Sequence, residues 1–158
     1  MSIEDAYCFM SSLYFRGKLA YAKRFASPPD TTLGPGILVI APGFGLVPPD
    51  WKLDWERIRT MQRIGVDPKH SAYRQPFSEQ AYALNGRLGK RESAILLGSV
   101  ATGKYVDVLE PIFGERLLAP RSFLGIGDMS RGALLLRAAA SGQELEYMVV
   151  DAKTGKNR

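Results

Sequence analysis

One stretch constrains this chain more than any other: Ala94-Ile-Leu-Leu-Gly98-Ser-Val-Ala-Thr-Gly103-Lys104-Tyr105. An apolar run opens into a loop of glycines and hydroxyls, and Val106, Leu109 and Phe113 then recur at helical spacing. That order predicts a strand, a loop and a helix, the arrangement that presents backbone amides to phosphates in many α/β proteins. Gly98-x-x-x-x-Gly103-Lys104 satisfies the opening of a P-loop pattern, but Tyr105 stands where a magnesium-holding Ser or Thr is required. A nucleotide triphosphatase of that class is therefore disfavoured, while an anion site at the loop is not. Glycine admits close approach, Ser99 and Thr102 can donate hydrogen bonds, and Lys104 adds charge. The competing reading is a tight strand-to-helix turn with a solvated lysine.

Around this stretch the pattern alternates. A helix is predicted from Tyr14 to Ala26, ended by Ser27-Pro28-Pro29, because proline brings no amide donor. The short apolar run Ile37–Ala41 reads as a strand covered on both faces. Trp51, Trp55, Ile58 and Met61 suggest a helix with a packed apolar face, capped by Asp50. Residues 65–75 read as an irregular excursion, and Phe77, Ala81, Leu84 and Leu88 as a further helix. Arg116–Ala119 is a third candidate strand, Ala133–Ala140 a helix stopped by Gly142, and Glu144–Val150 a last strand. The sum predicts one α/β domain over residues 1–158, three-layered, with a mainly parallel sheet covered by helices and residues 1–13 and 151–158 peripheral. Ile37–Ala41 and Ala94–Leu97 should be buried, parallel strands of that one sheet, whose fuller form would carry another strand near the N-terminus. Ligands of such sheets gather beyond the carboxyl ends of the strands.

Gly125–Gly132 is the second loop of interest. Gly125-x-Gly127 is half of a dinucleotide fingerprint, and Ser130 occupies the place of its third glycine. Arg131 near a helix N-terminus opposes the helix dipole unless an anion joins it or a carboxylate such as Asp128 pairs with it. Gly127, Ser130 and Arg131 thus join Gly98, Ser99, Thr102, Gly103 and Lys104 as candidate ligand contacts. Asp107 and Asp128 are the carboxylates placed to act as acid, base or nucleophile in a hydrolysis or group transfer.

Single residues exclude other chemistries. One histidine, His70, and one cysteine, Cys8, have no metal-ligand spacing between them. No metal or cofactor is therefore expected, and Cys8 reads as a small hydrophobe. Glu4 and Asp5 stand where a secretory signal is basic, and no apolar run reaches membrane-spanning length. A cytoplasmic protein without a membrane partner is expected.

The net charge of +5 permits an anionic partner. Arg16, Lys18, Lys23 and Arg24 form an acid-free segment whose helix would bury Phe15, Leu19, Ala22 and Phe25 and turn the basic residues outward. A basic face of this kind can contact nucleic acid, and is otherwise a solvated surface.

The segments Tyr14–Ala22, Leu97–Asp107, Phe113-Gly-Glu-Arg-Leu-Leu118 and Gly127-Asp-Met-Ser-Arg-Gly132 resemble those of an uncharacterised bacterial α/β family over about residues 14–150. The resemblance implies a shared domain and supplies no activity. Three functions remain open: binding or turnover of a phosphate-bearing small molecule such as a nucleotide or glycoside, a nucleic-acid-binding accessory domain, and a structural subunit without a ligand.

Overall fold

A computed structural model describes residues 1–11 and 13–150. The expected peripheral tail, residues 151–158, lies outside them. Helices dominate: α1 (Ile3–Ser11), α2 (Leu13–Phe25), α3 (Trp55–Ile64), α4 (Ser71–Arg87), α5 (Val106–Phe113) and α6 (Asp128–Ser141). The strands are short: β1 (Val39–Ala41), β2 (Gly45–Val47), β3 (Ala94–Ile95), β4 (Leu117–Pro120) and β5 (Tyr147–Val149). A three-layer domain with a mainly parallel sheet is not formed. β1 pairs with β2 in a two-stranded sheet, and β3, β4 and β5 make a separate three-stranded one.

The two apolar runs expected as parallel strands of one sheet therefore lie in different sheets. The reason is local. After Ala41, Pro42-Gly43-Phe44 turns the chain at once into β2, and three residues are too few for the crossover a parallel pair needs. The Gln80 side chain of α4 then takes up the adjoining backbone groups, donating to Phe44 O at 2.9 Å and accepting from Leu46 N. β3 and β4 are parallel, with Ala94 opposite Leu117, and α5 lies between them in sequence. β5 closes the edge antiparallel to β4.

The chain divides into two compact units, each built from separated segments. Of the described residues, the first comprises Met1–Val39, Pro48–Leu53 and Arg121–Glu146, and the second Ile40–Val47, Asp54–Pro120 and residues 147–150.

In the first unit, residues expected to be peripheral form α1, with Ile3 fully buried. Ser2 and Asp5 cap it reciprocally: Ser2 Oγ donates to the Asp5 carboxylate at 2.8 Å and accepts from Asp5 N at 3.2 Å. The next amides, which a helix start leaves unpaired, donate to carbonyls of the segment expected to begin a helix: Ile3 N to Trp51 O and Glu4 N to Pro49 O. Pro48–Trp51 thereby form a turn, closed by Trp51 N donating to Pro48 O at 3.0 Å, and Lys52 bridges antiparallel to Ser2. The helix starts instead at Trp55, where Asp54 rather than Asp50 accepts from Arg57 N at 2.8 Å. No residue of α3 is buried, and Trp55 is 74% exposed, so the aromatic core expected there is absent.

The core of this unit is the contact of α2 with α6. Gly17 and Gly132 meet backbone to backbone: a Cβ on Gly17 would lie 2.5 Å from Gly132 O, and one on Gly132 2.8 Å from Leu13 O. Around that crossing, Tyr21 and Leu135 are buried, and the Tyr21 hydroxyl accepts from Leu145 N at 3.0 Å. The buried residues of α2 are thus Gly17 and Tyr21, with half-buried Tyr14 on the same side, while Phe15 packs edge-on against Tyr7 of α1. Lys18, expected to point outward, falls on the side of α2 that meets α6.

In the second unit, α4 begins within the stretch read as an irregular excursion. Tyr73, Phe77 and Ala81 are buried one turn apart, and their burial carries the helix through Pro76. Arg116 ties the end of α4 down, donating to Asn85 O and Oδ1 and to Leu88 O at 3.2–3.4 Å.

Candidate functional site

The loop after β3 occupies the expected place between strand and helix, but its interior is already filled. Gly98 is covered by the Tyr105 ring, which a Cβ there would meet at 3.1 Å. Ser99 Oγ accepts from Ala101 N at 3.4 Å, within the loop itself. Gly103 adopts φ 76° with the Asp107 carboxylate against it, 2.7 Å from where a Cβ would stand. That carboxylate lies against the glycine, and its like charge repels an anion there. The Tyr73 hydroxyl donates to Lys104 O at 2.8 Å, fixing the backbone, while the Lys104 side chain and Thr102 are exposed. Asp107 sits in the first turn of α5, where an acid complements the helix dipole. The geometry is that of a self-satisfied strand-to-helix turn.

The head of α6 is different. Gly127, not Asp128, is its N-cap, and it provides no side-chain cap. Asp128, Met129 and Ser130, all exposed, form the first turn, whose amides have no partner within the helix. Arg131 follows at 8% exposure. Its opposition to the helix dipole is relieved by acceptors rather than by an anion. Nε and Nη2 donate to Phe123 O at 3.2 and 3.0 Å, and Nη1 lies 3.5 Å from the Asp128 carboxylate. The guanidinium also stands over the Phe123 ring, 5.5 Å from its centroid.

Lys18 joins this cluster from α2. Its ammonium sits 4.0 Å from the centre of the Tyr14 ring, which is itself in edge contact with Phe123. Among the described residues no carboxylate reaches ion-pairing distance of it. Burial pushes the Lys18 amine down from 10.5 to about 8; Asp128 opposes that shift and Arg131 reinforces it. A desolvated cation beside a second cation is an unfavourable arrangement for the protein alone. Sequence periodicity missed Lys18 as a member of this site because it scored the hydrophobic positions of α2. The orientation of α2 is instead set by Gly17, which has no side chain to score.

The other basic residues of α2 are dispersed. Lys23 pairs with Glu4 at 3.5 Å, the Arg24 guanidinium packs against Gly142, and Arg16 is exposed. The Cys8 thiol is pushed up by burial and by Glu4, the reverse of what a thiolate nucleophile requires. His70 is exposed at the start of α4. Among the described residues no group of three His, Cys, Asp or Glu could hold a metal ion, and no helix is long and apolar enough to cross a membrane. Gly98–Lys104 belongs to the second unit and Gly127–Arg131 to the first, so each is a local site in its own right. Comparison with protein-family models, curated proteins and solved structures gives no match for this chain.

Proposed function

We propose that this protein binds a phosphate-bearing small molecule, such as a nucleotide or a sugar phosphate, at the head of α6. The observation that carries this reading is Lys18: a desolvated ammonium that has no carboxylate at ion-pairing distance among the described residues and feels the charge of Arg131, near a helix start without a side-chain cap. An anion seated there would receive charge-assisted hydrogen bonds and offset the repulsion between the two cations. Arg131, held by Phe123 O, orients the site, and Ser130 is placed to donate from the same turn. Asp128 stays at the exposed rim. The loop Gly98–Lys104 is a structural turn in this reading, because the Asp107 carboxylate against Gly103 repels an anion.

Calorimetric titration with inorganic phosphate and a panel of nucleotides and sugar phosphates tests the proposal. Lys18→Met should weaken the best ligand by roughly 1.5–3 kcal/mol, the scale of a lost charge-assisted hydrogen bond. Lys104→Ala should leave its affinity unchanged. Affinity for the wild type should also fall as pH rises through about 8, where Lys18 loses its proton, and the Met variant should lack that fall. Equal affinities of wild type and Lys18→Met, or a loss with Lys104→Ala, would reject the site.

A further inference from the structure

We infer that the outward face of α3 is a docking surface for single-stranded nucleic acid, which stacks a base on Trp55 and lays backbone phosphates on Arg59 and Arg63. The inference does not rest on the anion site proposed above, because α3 belongs to the second unit and Lys18 and Arg131 to the first. One side of α3 is seated. Thr60 and Ile64, a turn apart, lie against the turn between β1 and β2, where a Cβ on Gly43 would meet the Ile64 side chain at 2.5 Å and that of Thr60 at 3.6 Å. At about 100° per residue, Trp55 stands opposite Ile64 and therefore points away from the protein. Trp55, Arg59, Gln62 and Arg63 are all exposed, the indole at 74%. A ring left that bare forgoes most of the burial that usually repays a tryptophan.

Charge decides what covers this face. Arg59 and Arg63 continue the row from Trp55 on the next two turns, and among the described residues neither is paired with a carboxylate. The helix sets one acid, Glu56, against three arginines, and the Asp54 carboxylate before it is engaged by Arg57 N. An aromatic ring followed by two free guanidinium groups is the complement of a base followed by phosphates. Arg59 and Arg63 are separated by a rise of about 6 Å along the helix, close to one nucleotide step of an extended strand. A duplex keeps its bases stacked on one another and offers Trp55 no free face. A bilayer would take up the apolar side of α3, and Ile64 is turned inward against Gly43. An acidic peptide supplies charge without a base to stack.

The probes are dye-labelled oligo(dT) and oligo(rU) of about ten nucleotides without terminal phosphates, titrated with the full chain at low salt. Anisotropy reads the affinity, and quenching of tryptophan emission reads the stack. Both strands should bind alike, because neither contact reads the 2′-hydroxyl, and a duplex of the same length should bind at least about tenfold more weakly. Trp55→Ala should lose about tenfold in affinity and most of the quenching, as expected for one stacked base, and Trp55→Phe should recover much of that affinity. Arg59→Gln combined with Arg63→Gln should flatten the slope of log affinity against log salt by about 1.4, from about 0.7 for each of two phosphates. These side chains are exposed, so thermal melts of the variants should match the wild type. Lys18→Met should bind the strands as the wild type does. A loss with Lys18→Met and none with Trp55→Ala would overturn the α3 surface and leave the α6 site standing. Unchanged affinity and salt slope in the folded variants, equal binding of the duplex, or no binding at low salt would also overturn it. So would stronger quenching by polyglutamate or by phosphatidylserine vesicles than by the strands.

Discussion

Lys18 and Arg131 show how differently two cations of one cluster can be solved. Arg131 is nearly buried yet satisfied, because a planar guanidinium can give two donors to one carbonyl and a third toward Asp128. Lys18 has a ring face and, among the described residues, no comparable acceptor, so its burial is expressed as a lowered pKa. The consequence for stability has a definite sign. Below about pH 8 the amine is charged in both folded and unfolded chains, and the folded state bears the full desolvation penalty. Between about 8 and 10.5 the unfolded chain holds the proton that the folded one has lost, so this group's contribution to stability rises with pH across that window. Lys18→Met should therefore stabilise the protein by about 1–3 kcal/mol at pH 7, with the gain shrinking to nothing near pH 10.5; denaturant melts of both proteins at several pH values measure it. A constant difference across that range would mean that Lys18 is not desolvated. Arg131's conflict with the helix dipole was legible in the sequence, as was its pairing with Asp128. The placement of Lys18 was not, since Tyr14, Gly17 and Tyr21 form a stripe that hydrophobic counting does not select.

Among the elements, those bounded by backbone chemistry were legible, and those decided by tertiary contacts were not. Gly142 in the left-handed region does end α6, and Ser27-Pro28-Pro29 does follow the end of α2. The start of α3 was misplaced because Pro49 O and Trp51 O are engaged by α1, a partner far away in sequence. α4 begins early because Tyr73 and Phe77 are buried together, which outweighs the interruption at Pro76. The α2–α6 crossing gives the clearest test at this scale. Gly17→Ala puts a methyl 2.5 Å from a backbone oxygen, an atom that cannot move aside as a flexible side chain could. It should cost about 1–3 kcal/mol even though alanine favours the helix, and thermal or urea unfolding will read it. A neutral or stabilising result would mean that the two helices stand further apart than described.

For the whole molecule, the sequence revealed alternating elements but not their pairing. Among the described residues, the β3–α5–β4 segment is the one place where strands pair in parallel, because a helix-length connection separates its strands. Elsewhere the strands have only three residues, and their pairing is decided by a nearby turn, as between β1 and β2, or by a distant segment, as with β5 on β4. Each unit also depends on residues from both halves of the chain. A chain cut after Pro120 lacks α6, the partner of α2, and β5, the partner of β4. It should lose cooperative thermal unfolding and much of its helical circular dichroism, whereas independence of the two halves would leave a cooperative transition in the fragment. During synthesis the same interleaving acts as a delay. At roughly 5–20 residues per second, α2 leaves the ribosome on the order of ten seconds before α6 exists to receive it. Its glycine-centred face must wait in solution or in the hands of a chaperone, and the rate of translation through the middle of the message becomes a variable in the yield of folded protein.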